Sequence, residues 1–305
     1  MKGKLENMKK NEYKSGFAAI IGMPNVGKST LLNTLAGQKI AIISEKPQTT
    51  RNKILAVYTT ESEQIIFTDT PGIHKPHNKL GEFMVNAANE SMDGVDVILF
   101  VVDATRKIQD MEREIAQNIS KTGLPCILVL NKVDQVHKEN LLPMIADYSS
   151  MNEFASIVPL SAKTGDGTDI LIEDIREHLP FGPQFYDKDT VTDQPERQIA
   201  AEIIREKLLW LLDKEVPHGI AIEITKMQEK ADITNIYATI YCEKATHKGI
   251  IIGKGGEMLK KIGTMSRADI EKMLGKKVYL ELWVKVKTDW RNNDFLIKNF
   301  GYKTE

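Results

Sequence analysis

Nine residues, GMPNVGKST from Gly22 to Thr30, constrain this 305-residue chain more than any other feature. They match G-x-x-x-x-G-K-S and lie between an apolar run that reads as a strand (FAAIIGM) and a periodic one that reads as a helix (KSTLLNTLAG). In that setting glycines let the backbone wrap a phosphate, and consecutive N–H groups at a helix N-terminus favour the anion. Lys28 reaches the outer phosphates, and the Ser29 hydroxyl can ligate magnesium. Gly22, Pro24, Asn25, Val26, Gly27, Lys28, Ser29 and Thr30 are the expected contacts.

Strand-like and helix-like stretches go on alternating to Leu179: IIFTDT then LGEFMVNAANESM, VDVILFVVDA then DMEREIAQNISKTG, PCILVLNKVD then ENLLPMIADYSSM, SIVPLSA then TDILIEDIREHL. Short Val/Ile/Leu-rich strands separated by helices predict an α/β fold, a mostly parallel sheet with helices on both faces. Its ligand belongs at the C-terminal strand ends. NKILAVYTT stands only a few polar residues before EQIIFTD and is expected as an antiparallel hairpin partner. Residues 1–15 read as a disordered tail, with Met8 an equally good start; 16–179 form the first module and 180–195, with three prolines, a linker. Residues 196–305 form an α+β module in the order helix, strand, strand, helix, helix, strand, with a terminal helix. In its last strand Val278, Leu280, Leu282, Val284 and Val286 alternate with Tyr279, Trp283, Lys285 and Lys287. Trp283 and Tyr279 are expected to pack on a helix rather than to stack bases, and Trp210 to lie in the core.

Four further elements follow the phosphate loop in the order a guanine-nucleotide switch requires. Asp69 in TDTPG can hold magnesium through water, and the Gly72 N–H can contact a terminal phosphate. QTTR offers Thr49 and Thr50 for the magnesium shell, with Thr50 favoured. In NKVD, one carboxylate of Asp134 can accept both the N1–H and N2–H₂ donors of guanine, whereas adenine presents an acceptor there. Asn131 can brace the loop and approach N7, and the Lys132 stem can cover the ring. In PLSAK, Ser161, Ala162 and Lys163 close the site, the Ala162 N–H being offered to O6.

The net charge is −1, yet it is unevenly spread: residues 1–180 carry 20 basic and 23 acidic side chains, whereas Lys244 to Arg291 carry twelve basic and five acidic. Within that basic stretch Gly253-Lys254-Gly255-Gly256 follows three isoleucines and precedes a helix, so a tight loop can approach a phosphodiester backbone. Lys248, Gly253, Lys254, Gly255, Gly256 and Lys260 are the candidate RNA contacts. Two cysteines without metal-ligand or redox spacing fit a reducing cytoplasm, and the longest apolar run, six residues at 97–102, is too short to span a membrane.

With GMPNVGKS and QTTR, the chain resembles the TrmE–Era branch of the Ras-like GTPases over about Phe17 to Leu179, and the basic module resembles a type II KH domain. That combination is similar to the bacterial ribosome-assembly GTPases of the branch. The resemblance implies GTP hydrolysis to GDP and phosphate with magnesium, and catalytic roles for Lys28, Thr50, Gly72 and Asn25. It also implies small-subunit ribosomal RNA near its 3′ end and the 30S precursor as partners, a role in subunit maturation, and weak peripheral membrane association; DNA is not expected. Ras-like members commonly carry a water-orienting glutamine after Asp-x-x-Gly, but here the position holds Ile73, so slow intrinsic hydrolysis is expected. His74, next along, is weighed as a general base and expected to be merely exposed. An asparagine at the place of Asn25 is associated with potassium in this branch. The alternative reading is an RNA-binding assembly factor for which GTP is mainly a structural ligand.

Overall fold

The computed structural model describes residues 13–302 other than 45, 47, 74, 75 and 77. The contacts divide it into two compact units. The first unit is built on β1 (Lys14–Ile21), β2 (Ile54–Thr59), β3 (Glu63–Asp69), β4 (Val97–Asp103), β5 (Cys126–Asn131) and β6 (Ser156–Pro159). These form one sheet in the order β2-β3-β1-β4-β5-β6, parallel throughout except for β2, which pairs antiparallel with β3 as the hairpin reading expected. Helices α1 (Lys28–Ala36), α2 (Lys79–Glu90), α3 (Asp110–Ser120), α4 (Leu141–Ser149) and α5 (Thr168–His178) fall at the periodic segments.

The continuous apolar runs have a direct cause: a strand covered on both faces can present no polar residue to either side. Every residue of β4 is buried. Phe100 and Val102 join Ile98, Leu128 and Leu130 in a layer against Ile115 and Ile119 of α3 and Tyr148 of α4. In β4 and β5 the first polar residue comes at the strand's end. Ile20 pairs with Asp69, and Asp103 with Asn131, so the chemistry-bearing side chains stand along one edge of the sheet.

The second unit contains α6 (Glu196–Leu211), β7 (Ala221–Glu229), β8 (Ile233–Cys242), α7 (Ala245–Ile252), α8 (Glu257–Leu274), β9 (Lys277–Val286) and α9 (Asp294–Asn299), the order read from the sequence. Its sheet runs β7-β8-β9, with β8 antiparallel to β7 and parallel to β9. Ile236, Ala238 and Ile240 of β8 and Val278 and Val284 of β9 share one core with Ile203, Ile204 and Leu208 of α6 and Ile262 and Ile270 of α8.

Several expectations need correction. Lys14 and Ser15, assigned to a disordered tail, begin β1, while residues 1–12, Met8 included, lie outside the described residues. Residues 180–193, expected within a linker, are bonded to the first unit. Ser15 Oγ donates to Pro183 O at 2.6 Å, Val57 N–H to Val191 O at 2.8 Å, and Phe17 and Phe185 have ring centroids 5.0 Å apart. The absence of periodicity was real, but side chain-to-backbone bonds replace a periodic face. Trp210 is not in the core: it is 48% exposed, at the last turn of α6, with its N–H donated to Ile43 O of the same unit at 2.9 Å. Tyr279 and Trp283, expected against a helix, are 47% and 59% exposed, because the helices pack on the opposite face of their strand.

Gln64 is the anchor of the 180–193 strap. Fully buried, it accepts from Phe185 N–H (2.7 Å) and Tyr186 N–H (2.9 Å), and donates to Tyr186 O (2.9 Å) and Thr59 Oγ1 (3.0 Å). Gln64→Ala would leave these backbone groups without partners, and the expected outcome is a loss of about 3 kcal/mol in urea unfolding together with faster proteolysis between residues 183 and 192.

Candidate nucleotide site and glycine loop

The loop after β1 turns into α1 at Gly27, which is left-handed at φ 101°. A Cβ there would stand 2.2 Å from Asn131 Nδ2, so both the turn and the close approach require glycine. Lys28, 6% exposed, folds back over the loop and donates to Gly22 O (3.0 Å) and Met23 O (2.9 Å). Burial pushes its pKa down to about 8, with the nearby Asp69 charge opposing the shift. A cation held beside the N-terminus of a helix, with carbonyls as its hydrogen-bond acceptors among the described residues, is arranged to take an anion. Gly72 backs onto this loop, a Cβ at that position standing 2.8 Å from Pro24 N and Cα.

Three oxygen-bearing side chains converge beside Lys28. Ser29 Oγ donates to Asp69 Oδ2 at 2.8 Å and lies 2.8 Å from Thr50 Oγ1, which reaches the same Oδ2 at 3.3 Å. Asp69 is fully buried; burial pushes its pKa up, while Lys28 and the Ser29 and Thr50 hydroxyls pull it back. Its second oxygen, Oδ1, is buried with no hydrogen-bond partner among the described residues. Two hydroxyls and a carboxylate with an unused oxygen fit a hard cation that takes oxygen ligands, as magnesium does. Thr49 is not part of this set: its hydroxyl donates to Lys46 O (2.6 Å) and Ser44 O (3.4 Å).

At the far end of the site Asn131, 2% exposed, uses its carboxamide as a brace. Nδ2 donates to Val26 O at 2.8 Å, and Oδ1 accepts from Ala162 N–H at 2.9 Å and Lys132 N–H at 2.8 Å. The bracing role expected of Asn131 is therefore present, and the Ala162 N–H that closes the loop points to the same carboxamide. Asp134 is exposed, and its Oδ1 accepts from the buried Ser161 Oγ at 2.8 Å, which orients the carboxylate. Lys163 is exposed, and Thr30 contributes its carbonyl to Thr34 Oγ1. His74 lies outside the described residues.

Two residues passed over in the sequence complete the arrangement. Asp103, at the end of β4, accepts from Lys132 Nζ at 2.6 Å, and the same ammonium donates to Asn25 O at 2.9 Å. Burial opposes ionisation of Asp103, but hydrogen bonds from Lys132 and Thr105 outweigh it and hold its pKa below the ordinary value. Thr34 Oγ1 donates to Ala162 O at 2.6 Å, tying α1 to the loop after β6. A signal for Asp103 was present: an acid closing an otherwise wholly apolar strand, VILFVVD, aligned with those closed by Asp69 and Asn131.

In the second unit Gly253 to Gly256 join α7 to α8. Gly253, Gly255 and Gly256 have φ of 75°, 60° and 83°. Gly253 also sits so close to α8 that a Cβ would meet Met258 N at 2.9 Å, while the same test at Gly255 and Gly256 finds open space. Lys254, Gly255 and Lys260 are exposed, and Gly253, Gly256 and Lys248 half-buried. The loop thus presents bare backbone with a cation at its tip.

Asp103→Ala removes the carboxylate that holds Lys132 against the phosphate loop. The expected outcome is GDP and GTP affinities both lowered about tenfold, the equivalent of one charged hydrogen bond, with little change in melting temperature. Titration of a fluorescent guanine nucleotide measures it.

Two family models match the chain: one described as 50S ribosome-binding GTPase, over residues 17–132, and one described as KH domain, over residues 215–291. GTPase Era of Ruminiclostridium cellulolyticum is 55% identical over 293 residues, covering 96% of this chain and 98% of the relative. GTPase Era of Clostridioides difficile is 54% identical, covering 95% and 99%. Among solved structures, Era in complex with MgGDPNP and nucleotides 1506–1542 of 16S ribosomal RNA matches with a TM-score of 0.93 at 44% identity, over 96% of this chain and all of that one. A variant of Aquifex aeolicus Era bound to GDP and AlF4− matches with a TM-score of 0.93 at 43% identity, over 95% of this chain and all of that one. A phosphate-loop motif, an exposed carboxylate oriented by Ser161 and a glycine loop in a KH unit thus coincide with near-complete similarity in sequence and structure, and the chain belongs to the Era family of GTPases.

Proposed function

We propose that this GTPase is a switch whose second unit binds small-subunit ribosomal RNA near its 3′ end during maturation of the small subunit. The observation that carries the reading is the match, over 96% of the chain, to an Era structure holding both MgGDPNP and a 16S ribosomal RNA fragment. The site residues from Gly22 to Lys132 lie in the segment matched as a GTPase, and the Gly253–Gly256 loop lies in the segment matched as a KH domain.

The residues divide the work. Lys28 and the loop N–H groups hold the phosphates, and Asp134, oriented by Ser161, selects guanine. Ser29, Thr50 and Asp69 are the set that would hold magnesium, which when bound neutralises phosphate charge. Lys132, pinned by Asp103 and Asn25 O, fixes the loop at the base end. Exposed Lys254 and the bare glycine backbone suit phosphodiester contact. Two buried free cysteines fit a reducing cytoplasm. Among the described residues no helix is long and apolar enough to cross a membrane, so the weak association proposed at the inner membrane face would be peripheral.

Asp134→Asn is expected to weaken GTP binding and improve binding of xanthosine triphosphate, since the base then needs the opposite donor pattern. Lys254→Asp with Gly255→Asp is expected to abolish single-stranded RNA binding while leaving GTP affinity unchanged. Wild-type behaviour in either test would remove the corresponding half of the reading.

Asn25 supports a potassium role in hydrolysis. It stands in the loop three residues before Lys28 with a left-handed backbone (φ 66°), its carbonyl accepts from Lys132 Nζ, and its side chain carries an amide oxygen, a ligand type that a hard monovalent cation takes. A monovalent cation there would offset charge developing between the β- and γ-phosphates, a task that Ile73 cannot share by orienting water. Single-turnover hydrolysis is expected to be faster in potassium than in sodium at equal ionic strength, and Asn25→Ala to erase the difference with GTP affinity nearly intact. Equal rates in the two salts would end the potassium role.

A further inference from the structure

The outward face of β9 is built unlike the rest of the second unit. The strand lies at the edge of the sheet β7-β8-β9, and its even-numbered residues Val278, Leu280, Leu282 and Val284 turn into the core. Its odd-numbered residues, continued by Lys287 just past the strand, make the row Lys277, Tyr279, Glu281, Trp283, Lys285, Lys287. Tyr279 and Trp283 stand 47% and 59% exposed in it. Two large rings left in water on one short row are a feature that calls for an occupant.

The rings are also held in place. Glu281, between them, accepts from Tyr279 Oη at 3.0 Å and from Trp283 Nε1 at 2.7 Å, so their polar tips are satisfied while about half of each ring residue stays in water. On β8, Tyr237 meets Tyr279 edge-on at 6.0 Å, and Lys226 Nζ lies 5.8 Å from the Tyr237 ring centre. Side chains fixed before binding lose little entropy on contact. The occupant is indicated by the arrangement: rings four residues apart on a strand are separated by about 13 Å, and lysines bracket them at both ends, at 277 and at 285 and 287. Flat rings flanked by cations suit bases flanked by phosphates, because base stacking asks only for a π-face and the backbone for positive charge.

We propose that this face is a second contact for single-stranded RNA, in which Tyr279 and Trp283 each stack a base while Lys277, Lys285 and Lys287 meet the phosphates. It is distinct from the Gly253–Gly256 loop, whose flanking helix α8 packs on the opposite face of the strand. The proposal rests on the RNA-binding reading of the second unit, and it predicts a footprint longer than the glycine loop alone would produce.

The test uses the full chain and a fluorescent RNA covering the span held in the matched complex, intact and with single abasic positions. Tyr279→Ala and Trp283→Ala are each expected to weaken binding about tenfold, with unchanged melting temperature because both rings are exposed, and Trp283→Phe should restore most of the affinity. An abasic position that stacks on Trp283 should weaken the wild-type complex by a similar factor and add nothing in Trp283→Ala. If both alanine variants bind like wild type while Lys254→Asp with Gly255→Asp does not, the second contact is overturned and the RNA reading stands. If all three bind like wild type, the RNA reading itself falls. Normal RNA binding by the ring variants combined with weaker cosedimentation with purified small subunits would assign the face to a protein and equally overturn the proposal.

Discussion

The carboxamide of Asn131 is the interaction on which the nucleotide site depends. It ties the phosphate loop, through Val26 O, to the loop after β6, through Ala162 N–H, and it does so from a fully buried strand end. Three segments distant in sequence share one small group whose donor and acceptor sides are both used. In a buried setting such a group cannot be exchanged for an apolar one without stranding backbone polar atoms. The left-handed Gly27 follows from it, because the loop must come within contact of Nδ2.

Around that brace the charges are distributed in pairs. Lys28 and Asp69 modify each other's ionisation beside the two hydroxyls, and at the base end hydrogen bonds from Lys132 and Thr105 hold the pKa of Asp103 below its ordinary value against the effect of burial. Each carboxylate closes a wholly buried strand, so burial raises the cost of leaving it alone. Among the described residues Asp69 Oδ1 has no hydrogen-bond partner and the Lys28 ammonium is bonded to carbonyls, and a metal–phosphate ligand would satisfy both at once.

The second unit uses backbone rather than charge at its loop and side chains at its edge strand. Gly253 is required by the approach of Met258, whereas Gly255 and Gly256 serve by leaving open space. On β9 the same alternation that drives valine and leucine into the core leaves tyrosine, tryptophan and lysine outside.

Local pattern determined much of this protein. The phosphate loop, the strand-ending Asp69 and Asn131, Asp134 in the turn just after, the antiparallel hairpin and the order of elements in both units are written in spacings of a few residues, because helix and strand periods and glycine turns are local properties. What tertiary structure alone decided are relations between residues far apart in the chain. Thr50 rather than Thr49 joins Ser29 and Asp69, since one peptide's difference in direction selects which hydroxyl faces the set. Asp103 and Thr34 acquire their roles only when strands β4 and β5 and the loop after β6 are side by side. Residues 180–193 carry no periodicity and pack nonetheless, because Gln64, over a hundred residues earlier, supplies their hydrogen bonds. Alternation places Trp283 and Tyr279 on a face but cannot say whether anything covers it; the helices lie on the other side, and the rings remain in water.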